Sequence, residues 1–498
     1  MRVTNKMMNN TSLNNINKNK EYLDKLNNQM ASEKKITRPS DDPIIAIRAL
    51  RLRSNLTEIS QYYDKNLKDA RAWLTATQDA IESTQSMVTS MRSLFTQGSN
   101  ATNSSESRAA IIDTLKAYKS QIYDDGNADY AGRFLFTGYR TSTQLTFTKN
   151  DAEEMTSQGG YRGITEEFEL SDVESITYIS GKVDSADIST LSKLLSLPDA
   201  DVPSTSAIAE NSVSRIRLAY ENIDKAGTVE VTIDGVKYTA NSVPRSDSSY
   251  APADGTVNFV PETGEIILAS DIASTIKSDS KISVVYDKSK WAENDLRPEN
   301  YFACETTAGI KYEKPAKGQV ITYDISSNQK IEINTTCDEL YDPSIGRDVD
   351  EILAALQDYD DALSKQKTLQ GYYADYADVA DDNANKVKVK QALDSATKEV
   401  DATKQKVQKM FEQYQSRFDG YIDEVKHSAT ENGSRLSRVE LVDNRLLDLK
   451  TTAKELADEN ENVEVTDMAI ELSEAKLVYE AALMATGKVS QVTLLNYI

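Results

Sequence analysis

The chain has 498 residues, a formal net charge of −22 and 27% charged residues. This length allows two to four domains, each with its own core. The acidity argues against non-specific nucleic-acid binding, which needs Lys and Arg to neutralise phosphates, and against attraction to anionic lipid. No apolar run approaches the roughly 20 residues that span a bilayer, so we expect no membrane insertion.

The first residues, MRVTNKMMNNTSLNN, lack the apolar core of a secretory signal. A cytoplasmic location is the simplest expectation, unless the protein leaves the cell by another route.

The two ends of the chain carry opposite charge. Residues 1–53 hold 11 Lys and Arg against 5 Asp and Glu, a net charge of +6, whereas residues 454–498 hold 3 Lys against 9 Asp and Glu, a net charge of −6. Both ends have apolar residues at helical spacing. This pattern predicts that the ends pair in a helical bundle, which is more often an assembly element than an active site.

The sequence contains few of the residue patterns that are typical of catalytic or metal sites. Cys304 and Cys337 are the only cysteines, and they could form one disulfide or remain free thiols. His427 is the only histidine, and we expect it to face solvent near a helix end. No phosphate-binding loop, dinucleotide fingerprint or calcium loop is present, so we predict no cofactor, no metal site and no enzyme.

The N-terminal flank predicts two helices separated by a break. An Asn-rich amphipathic stretch comes first, and its apolar positions are Leu13, Ile16, Leu23, Leu26 and Met30. The break is residues 36–43. Asp42 can cap a new helix there, and Pro43 can occupy its first position.

The second of these helices carries a coiled-coil seam. From Leu52 to Leu94 its inward positions follow alternating steps of four and three over about six heptads. A polar break at 98–105 precedes a third helix at about 107–124. The residues that we expect to form the rigid core bundle are Leu56, Ile59, Tyr63, Trp73, Leu446 and Leu449.

The middle of the chain predicts one or two β-rich domains. Residues 133–147 alternate like a strand that turns at Gly138. A hairpin is predicted around Asp234-Gly235, another around Gly264, and a further strand follows in KISVVYDK.

Helical patterns return after Pro343. Residues 349–430 predict two or more helices, and Asn432-Gly433 is a plausible helix stop. The last helix starts at Thr466 and Asp467. Its predicted seam is Met468, Leu472, Ala475, Tyr479, Ala482, Thr486 and Val489. Leu494 and Leu495 near the end are expected to need a partner.

Both ends resemble one family. SEKKITRPSDDP (Ser32–Pro43) and GRFLFTGYRT (Gly132–Thr141) resemble the N-terminal region of the flagellin superfamily. GSRLSRVELVDNRL, which begins at Gly433, and the stretch from Val465 to Ile498 resemble its C-terminus. The prolines Pro39 and Pro43 make the match closer to the hook-associated protein 3 family, which joins hook to filament, than to flagellins. The resemblance covers about 1–147 and 410–498.

The residue patterns and the resemblance together predict a fold that is mainly α, with an outer β-rich insertion that lies outside the resemblance. Inner terminal helices would occupy 1–40 and 460–498, and a core bundle 41–147 and 342–459, with an added helical segment near 365–410. The outer β-rich body would be 148–341. The seam spacing predicts an assembly interface that brings Leu13, Ile16, Leu23 and Leu26 against Leu472, Tyr479, Ala482 and Val489, with Leu494 and Leu495 contributing.

The resemblance also implies a route and partners. Subunits would be exported unfolded by the flagellar type III system, without a cleaved signal. Their ends would stay poorly ordered until they fold on assembly into a ring or tube of identical subunits outside the cell. The implied partners are hook-associated protein 1, flagellin and an export chaperone at the C-terminal helix.

Two alternatives remain open. The first is a flagellin, the filament subunit. The second is a different class, in which the outer body is a surface-binding or adhesive module. An enzyme in the body, such as a peptidase or a carboxylate-only glycosidase, has no positive support, since 148–341 contains no histidine.

Overall fold

The structure, a computed structural model, describes residues 5–98, 105–225, 229–315 and 318–495. Its helices are α1 Asn5–Ser32, α2 Pro43–Gln61, α3 Leu67–Gly98, α4 Ser105–Gly126, α5 Lys149–Ser157, α6 Leu191–Ser196, α7 Ser270–Ala273, α8 Pro343–Ala374, α9 Ala384–Glu461 and α10 Val465–Leu495. Its strands are β1 Asp129–Tyr130, β2 Arg133–Phe134, β3 Tyr161–Phe168, β4 Val173–Ser180, β5 Ala209–Arg217, β6 Glu230–Ile233, β7 Val236–Thr239, β8 Asn241–Ser242, β9 Val257–Val260, β10 Glu265–Leu268, β11 Ile282–Lys288, β12 Ala303–Thr306, β13 Lys311–Tyr312, β14 Thr322–Ser326 and β15 Gln329–Glu332.

These elements confirm the predicted fold class, a mainly α protein with a β-rich insertion. The chain divides into two compact units. The terminal unit comprises residues 1–71, 323–331 and 437–498, and the body unit comprises 72–322 and 332–436. Among the described residues, no helix is long and apolar enough to cross a membrane.

In the terminal unit, the predicted break before α2 is built by two adjacent carboxylates. Asp42 Oδ1 accepts hydrogen bonds from the backbone N–H groups of Ile44 (2.9 Å) and Ile45 (3.2 Å), and Pro43 occupies the first helical position. Asp41 accepts from the N–H groups of Arg38 (2.9 Å) and Thr37 (3.1 Å). These bonds, with that from Arg38 the largest, lower the pKa of Asp41. The Asp-Asp-Pro sequence therefore both folds the loop and starts the helix.

Between α2 and α3 the backbone forms one turn of π-helix, Tyr62–Asn66. Asn66 donates a hydrogen bond to the carbonyl oxygen of Asp324 in β14 (2.8 Å), and Asp64 accepts one from Lys450 of α9 (2.5 Å). The single long helix that the seam predicts is therefore interrupted here. A π-turn accommodates one extra residue, which changes the face that the following helix presents.

The body unit contains two larger sheets. One has five strands in the order β4-β5-β10-β9-β8, and the other has six in the order β13-β12-β3-β11-β6-β7. Both predicted hairpins are confirmed: β6 pairs with β7 and β9 pairs with β10, in each case antiparallel. The first turns through Asp234 (φ 50°) and Gly235 (φ 84°), because two consecutive left-handed residues match the twist of the flanking strands.

A buried ion network joins the five-stranded sheet to the helices of the body unit. Arg215 of β5 is 3% exposed and donates to Glu174 of β4 (2.9 Å), to Glu351 of α8 (2.6 Å) and to Glu265 of β10. The guanidinium matches three carboxylates at once because it presents five donors in a fixed plane.

The same network continues into α9. Arg417 donates to Asp348 of α8 (2.9 Å) and to Glu174, and the Tyr421 hydroxyl donates to the other oxygen of Asp348 (2.9 Å). Arg217 of β5 also pairs with Asp348. One sheet and two helices are thus held together by charge-assisted hydrogen bonds.

The helical segment near 365–410 is the end of α8 and the start of α9, in the body unit. Leu369, Val389 and Ala396 are buried against Val183 and Leu194, which lie before and within α6. Lys365 also pairs with Glu399 (2.9 Å), whose other oxygen accepts from the backbone N–H of Val183 (2.8 Å). This segment therefore supports the connection between β4 and β5.

Three predictions are wrong: one concerns a strand in the middle of the chain, and two concern the helices that follow Pro343. Within the predicted strand 133–147, only β2, Arg133–Phe134, is a strand. Phe136, Leu145 and Phe147 are nevertheless buried. Gly433 does not stop a helix, because α9 runs from Ala384 to Glu461. Nor does His427 lie near a helix end, although its side chain is exposed as expected.

The expected stop at Asn432-Gly433 fails because of tertiary contacts. Asn432 is fully buried and donates hydrogen bonds to the carbonyl oxygen of Leu74 and to Gln78 Oε1, both at 2.9 Å. A helical glycine costs only about 1 kcal/mol relative to alanine. Packing along a 78-residue helix readily exceeds that cost.

Cys304 and Cys337 are both free and buried. Burial raises the pKa of each thiol to about 12, so neither is activated as a thiolate. Within the described ranges, no cluster of His, Cys, Asp and Glu could hold a metal ion.

Candidate assembly interface

The first and last helices pack against each other within the terminal unit. Leu26 of α1 is 2% exposed and lies in one cluster with Met468 and Ala475 of α10. The half-buried residues around this cluster are Leu23, Met30, Val463 and Leu472. The small side chain of Ala475 lets the two helices approach closely.

The segments that flank this pair are joined by backbone hydrogen bonds. We call residues 33–35 and 461–463 the clasp. The N–H of Lys35 donates to the carbonyl oxygen of Glu461 (2.8 Å), and the N–H of Val463 donates to that of Glu33 (3.1 Å). An antiparallel bridge pairs Lys34 with Asn462. The carboxyl end of α1 therefore lies beside the amino end of α10, so the two helices run antiparallel.

Opposite charges meet at the clasp. Arg53 of α2 donates both Nε (2.5 Å) and Nη2 to the two carboxylate oxygens of Glu461, a bidentate pair. Lys34 Nζ lies 3.6 Å from the same carboxylate, and Lys35 Nζ donates to the carbonyl oxygen of Glu459 (2.5 Å). The hydrogen bond from Arg53 lowers the pKa of Glu461. Basic residues of the N-terminal flank thus pair with an acidic residue of the C-terminal flank at the clasp.

The predicted residues of α1 fall in different environments. Leu26 is buried, Ile16 and Leu23 are half-buried, and Leu13 is 53% exposed. The half-buried positions before Ile16 are Ser12 and Asn9. The seam therefore continues through polar residues, and Leu13 lies beside it on an exposed position.

On α10, Leu472, Tyr479 and Ala482 are half-buried on the face that packs against α1. The side chains of Val489, Leu494 and Leu495 lie outside the described residues. Which of these residues contact a second subunit stays a prediction.

The residues that were predicted to form one core bundle belong to two different units. Ile59 and Leu446 are buried in the terminal unit, with Leu56 and Tyr63 half-buried. Trp73 is 1% exposed but belongs to the body unit, where its ring lies edge-on to Tyr130 at 6.3 Å.

Leu449 departs from its expected place, being 42% exposed. The seam passes through Lys450 instead, whose ammonium pairs with Asp64 (2.5 Å) and lies 5.0 Å from the centre of the Tyr63 ring. A paired lysine with its apolar stem along a seam replaces an apolar residue there. Apolar spacing alone therefore predicts the neighbouring Leu449 in place of Lys450.

A second apolar stripe on α10, which the predicted seam does not include, is exposed. Ile470, Leu477 and Met484 are 55%, 69% and 66% exposed. They recur every seven residues, nearly two helical turns, so they share one face. Ile470 lies about 200° around the helix from Met468, opposite the face packed on α1. The signal was present in the sequence, because α10 is apolar on both sides.

A similar exposed stripe lies on α2. Ile44, Ile47 and Leu50 are 79%, 54% and 65% exposed, whereas Ala46 and Ala49 are buried. Singly exposed apolar residues are ordinary, but runs of them along two helices of one unit mark interaction surfaces.

The clasp gives a testable prediction. Glu461→Gln removes the charge that Arg53 and Lys34 share, so we expect the terminal unit to lose about 1–2 kcal/mol at neutral pH. Because the pKa of Glu461 is lowered by folding, its contribution is present above about pH 4.5 and is lost as the pH falls through the folded-state pKa. Hydrogen-exchange protection of amides near the clasp measures both effects.

Glu459→Gln is the matched control, since it makes the same charge change two residues away on an exposed side chain. Equal loss of protection in both variants would contradict a specific role for Glu461.

Comparison with known proteins finds similarity over the amino-terminal part of the chain. Residues 3–141 match the bacterial flagellin N-terminal helical region. The amino-terminal part of the chain therefore resembles flagellin-type proteins.

Within that class its resemblance to flagellar hook-associated protein 3 is confirmed. It is 25% identical to the hook-associated protein 3 of Salmonella typhimurium and 26% identical to that of Escherichia coli. Each match extends over 255 residues, 49% of this chain and 77% of the relative. Among solved structures, the flagellar hook-associated protein-3 of Legionella pneumophila is 11% identical. That match has a TM-score of 0.28 and covers 82% of this chain and 98% of the other.

Proposed function

We propose that this protein is a subunit of the junction between hook and filament, exported unfolded by the flagellar type III system and assembled outside the cell through its terminal helices. The observation that carries the proposal is the two-sided α10. One apolar face packs against α1, and the stripe of Ile470, Leu477 and Met484 has no cover within the described part of the chain.

The energetic argument favours burial of that stripe between subunits. A large apolar side chain gains about 1.5–3 kcal/mol when it is removed from water. Ordering the backbone of a helix costs about 1–2 kcal/mol per residue. Residues of α1 and α10 far from the clasp therefore become fully stable when neighbouring subunits cover the second face.

The same chemistry suggests the partners. Identical subunits in a ring would bury α10 and α2 stripes against one another, with hook-associated protein 1 on one side and flagellin on the other. Before export, an amphipathic groove of a chaperone would shield the C-terminal helix, whose exposed apolar residues would otherwise aggregate.

Deletion and localisation test the proposal. A strain lacking the protein should carry hooks without filaments and shed flagellin into the medium. Immunogold labelling of the complemented strain should give a single band at the hook–filament boundary. Uniform labelling along the filament would instead identify a filament subunit, and normal filaments on the deletion strain would overturn the junction role.

A further inference from the structure

A polar cleft of about 790 Å³ lies in the body unit, between β4 and β5 on one side and α8 and α9 on the other. Its wall includes the ion network of Arg215 and Arg417 together with the uncharged polar groups of Ser175, Thr177 and Gln413. A volume of this size is typical of small-molecule sites.

Nearly all cations that line this cleft are paired. Lys182 lies 3.1 Å and Arg245 3.7 Å from Asp358, Lys409 lies 3.5 Å from Glu210, and Arg347 lies 3.3 Å from Glu221. The arginines of β5 and α9 are held in the buried network. These groups give the wall a fixed shape and leave little free charge.

Lys406 of α9 is the exception among the described residues of the wall. It forms no ion pair within 4 Å there, although Asp358, Glu351 and Glu265 attract it from farther away and Lys182 repels it. Burial lowers the pKa of Lys406. A poorly solvated ammonium that faces a polar cleft is stabilised by an anion that enters beside it.

We propose that this cleft binds an acidic sugar, a hexose-sized ring with one carboxylate or sulfate group, whose anion is anchored by Lys406. The hydroxyls of the ring would replace water at Ser175, Thr177 and Gln413. A simple inorganic anion would fill only a small part of the volume.

The neighbouring aromatic pair supports a ring-shaped ligand. Tyr178 of β4 and Tyr250 line the cleft and stack at 5.3 Å, and the Tyr250 hydroxyl is fixed by Glu265 (2.8 Å). Tyrosine combines an apolar face with a polar edge, which suits the mixed surface of a sugar. This site is independent of the terminal helices and therefore of the proposed junction role.

Calorimetric titration of the full-length protein tests the proposal. The probes are glucuronic acid and glucose 6-sulfate, with glucose and sodium sulfate as controls. We expect the two acidic sugars to bind and glucose to bind at least tenfold more weakly. Lys406→Met, which keeps the side-chain volume, should weaken acidic-sugar binding at least tenfold, and Lys406→Gln should behave alike. Lys404→Met, on the same helix outside the cleft wall, should bind as the wild type does.

The probes also distinguish the two anions, since a carboxylate-selective site favours glucuronic acid and a sulfate-selective site favours glucose 6-sulfate. The proposal is overturned if neither acidic sugar binds at millimolar concentration. It also fails if Lys406→Met binds as tightly as Lys404→Met, or if sodium sulfate binds as tightly as the sugars. Circular dichroism of each variant verifies that it is folded.

Discussion

Arg215→Met should destabilise the body unit by about 3–5 kcal/mol, the cost of removing one partner from a buried ion pair. The substitution removes the guanidinium that buried Glu265 shares with half-buried Glu351, and Glu351 keeps its contact with Arg217 (3.1 Å). We expect the amides of β5 and β10 to lose protection in hydrogen exchange, and the urea midpoint of the body unit to fall.

Lys237→Met is the matched control for Arg215→Met. Lys237 pairs with Glu230 on the exposed β6–β7 hairpin, with 71% of its side chain in solvent, so its loss should change stability by less than about 1 kcal/mol. Similar effects of the two substitutions would show that the Arg215 network contributes no more than a surface pair.

Polar substitutions in the exposed apolar stripe of α10 are expected to prevent assembly. A triple variant, Ile470→Gln, Leu477→Gln and Met484→Gln, keeps good helix formers on exposed positions, so the isolated chain should fold as before. If the stripe is buried in the assembly, each subunit loses several kcal/mol of apolar burial. We expect more than a hundredfold weaker incorporation, with swimming abolished and flagellin shed into the medium.

The control changes the exposed polar residues Glu474, Glu480 and Lys488 of the same helix to glutamine. This variant should swim. Immunoblots of the medium and of cells separate failed assembly from failed export. If the apolar triple variant swims as well as the control, the second face of α10 is not an assembly surface.

Local chemistry made the ends and the hairpins predictable. Asp42 and Pro43 start α2 because capping and a fixed φ need no distant partner, and Asp234-Gly235 turns a hairpin for the same reason. The heptad steps likewise identified the α1-facing seam of α10, with Leu472 and Ala475 on it.

Long-range contacts decided the rest. Nothing near Gly433 reveals that Asn432 hydrogen-bonds Leu74, more than 350 residues earlier, and so continues the helix. Lys450 enters a seam only because Asp64 lies opposite. The Arg215 network joins five separate elements, β4, β5, β10, α8 and α9, so no sequence spacing could predict it.

The central claim is that α10 has one apolar face covered by α1 and a second that is covered only on assembly. Maleimide labelling of a Leu477→Cys variant tests it most directly, since the native Cys304 and Cys337 are buried and give little background. A Val236→Cys variant, with its new thiol exposed on β7 of the body unit, is the reference. We predict that the Leu477→Cys variant reacts as fast as the reference in the isolated subunit and becomes protected in intact flagella, while the reference stays reactive. Equal reactivity of the Leu477→Cys variant before and after assembly would contradict the account.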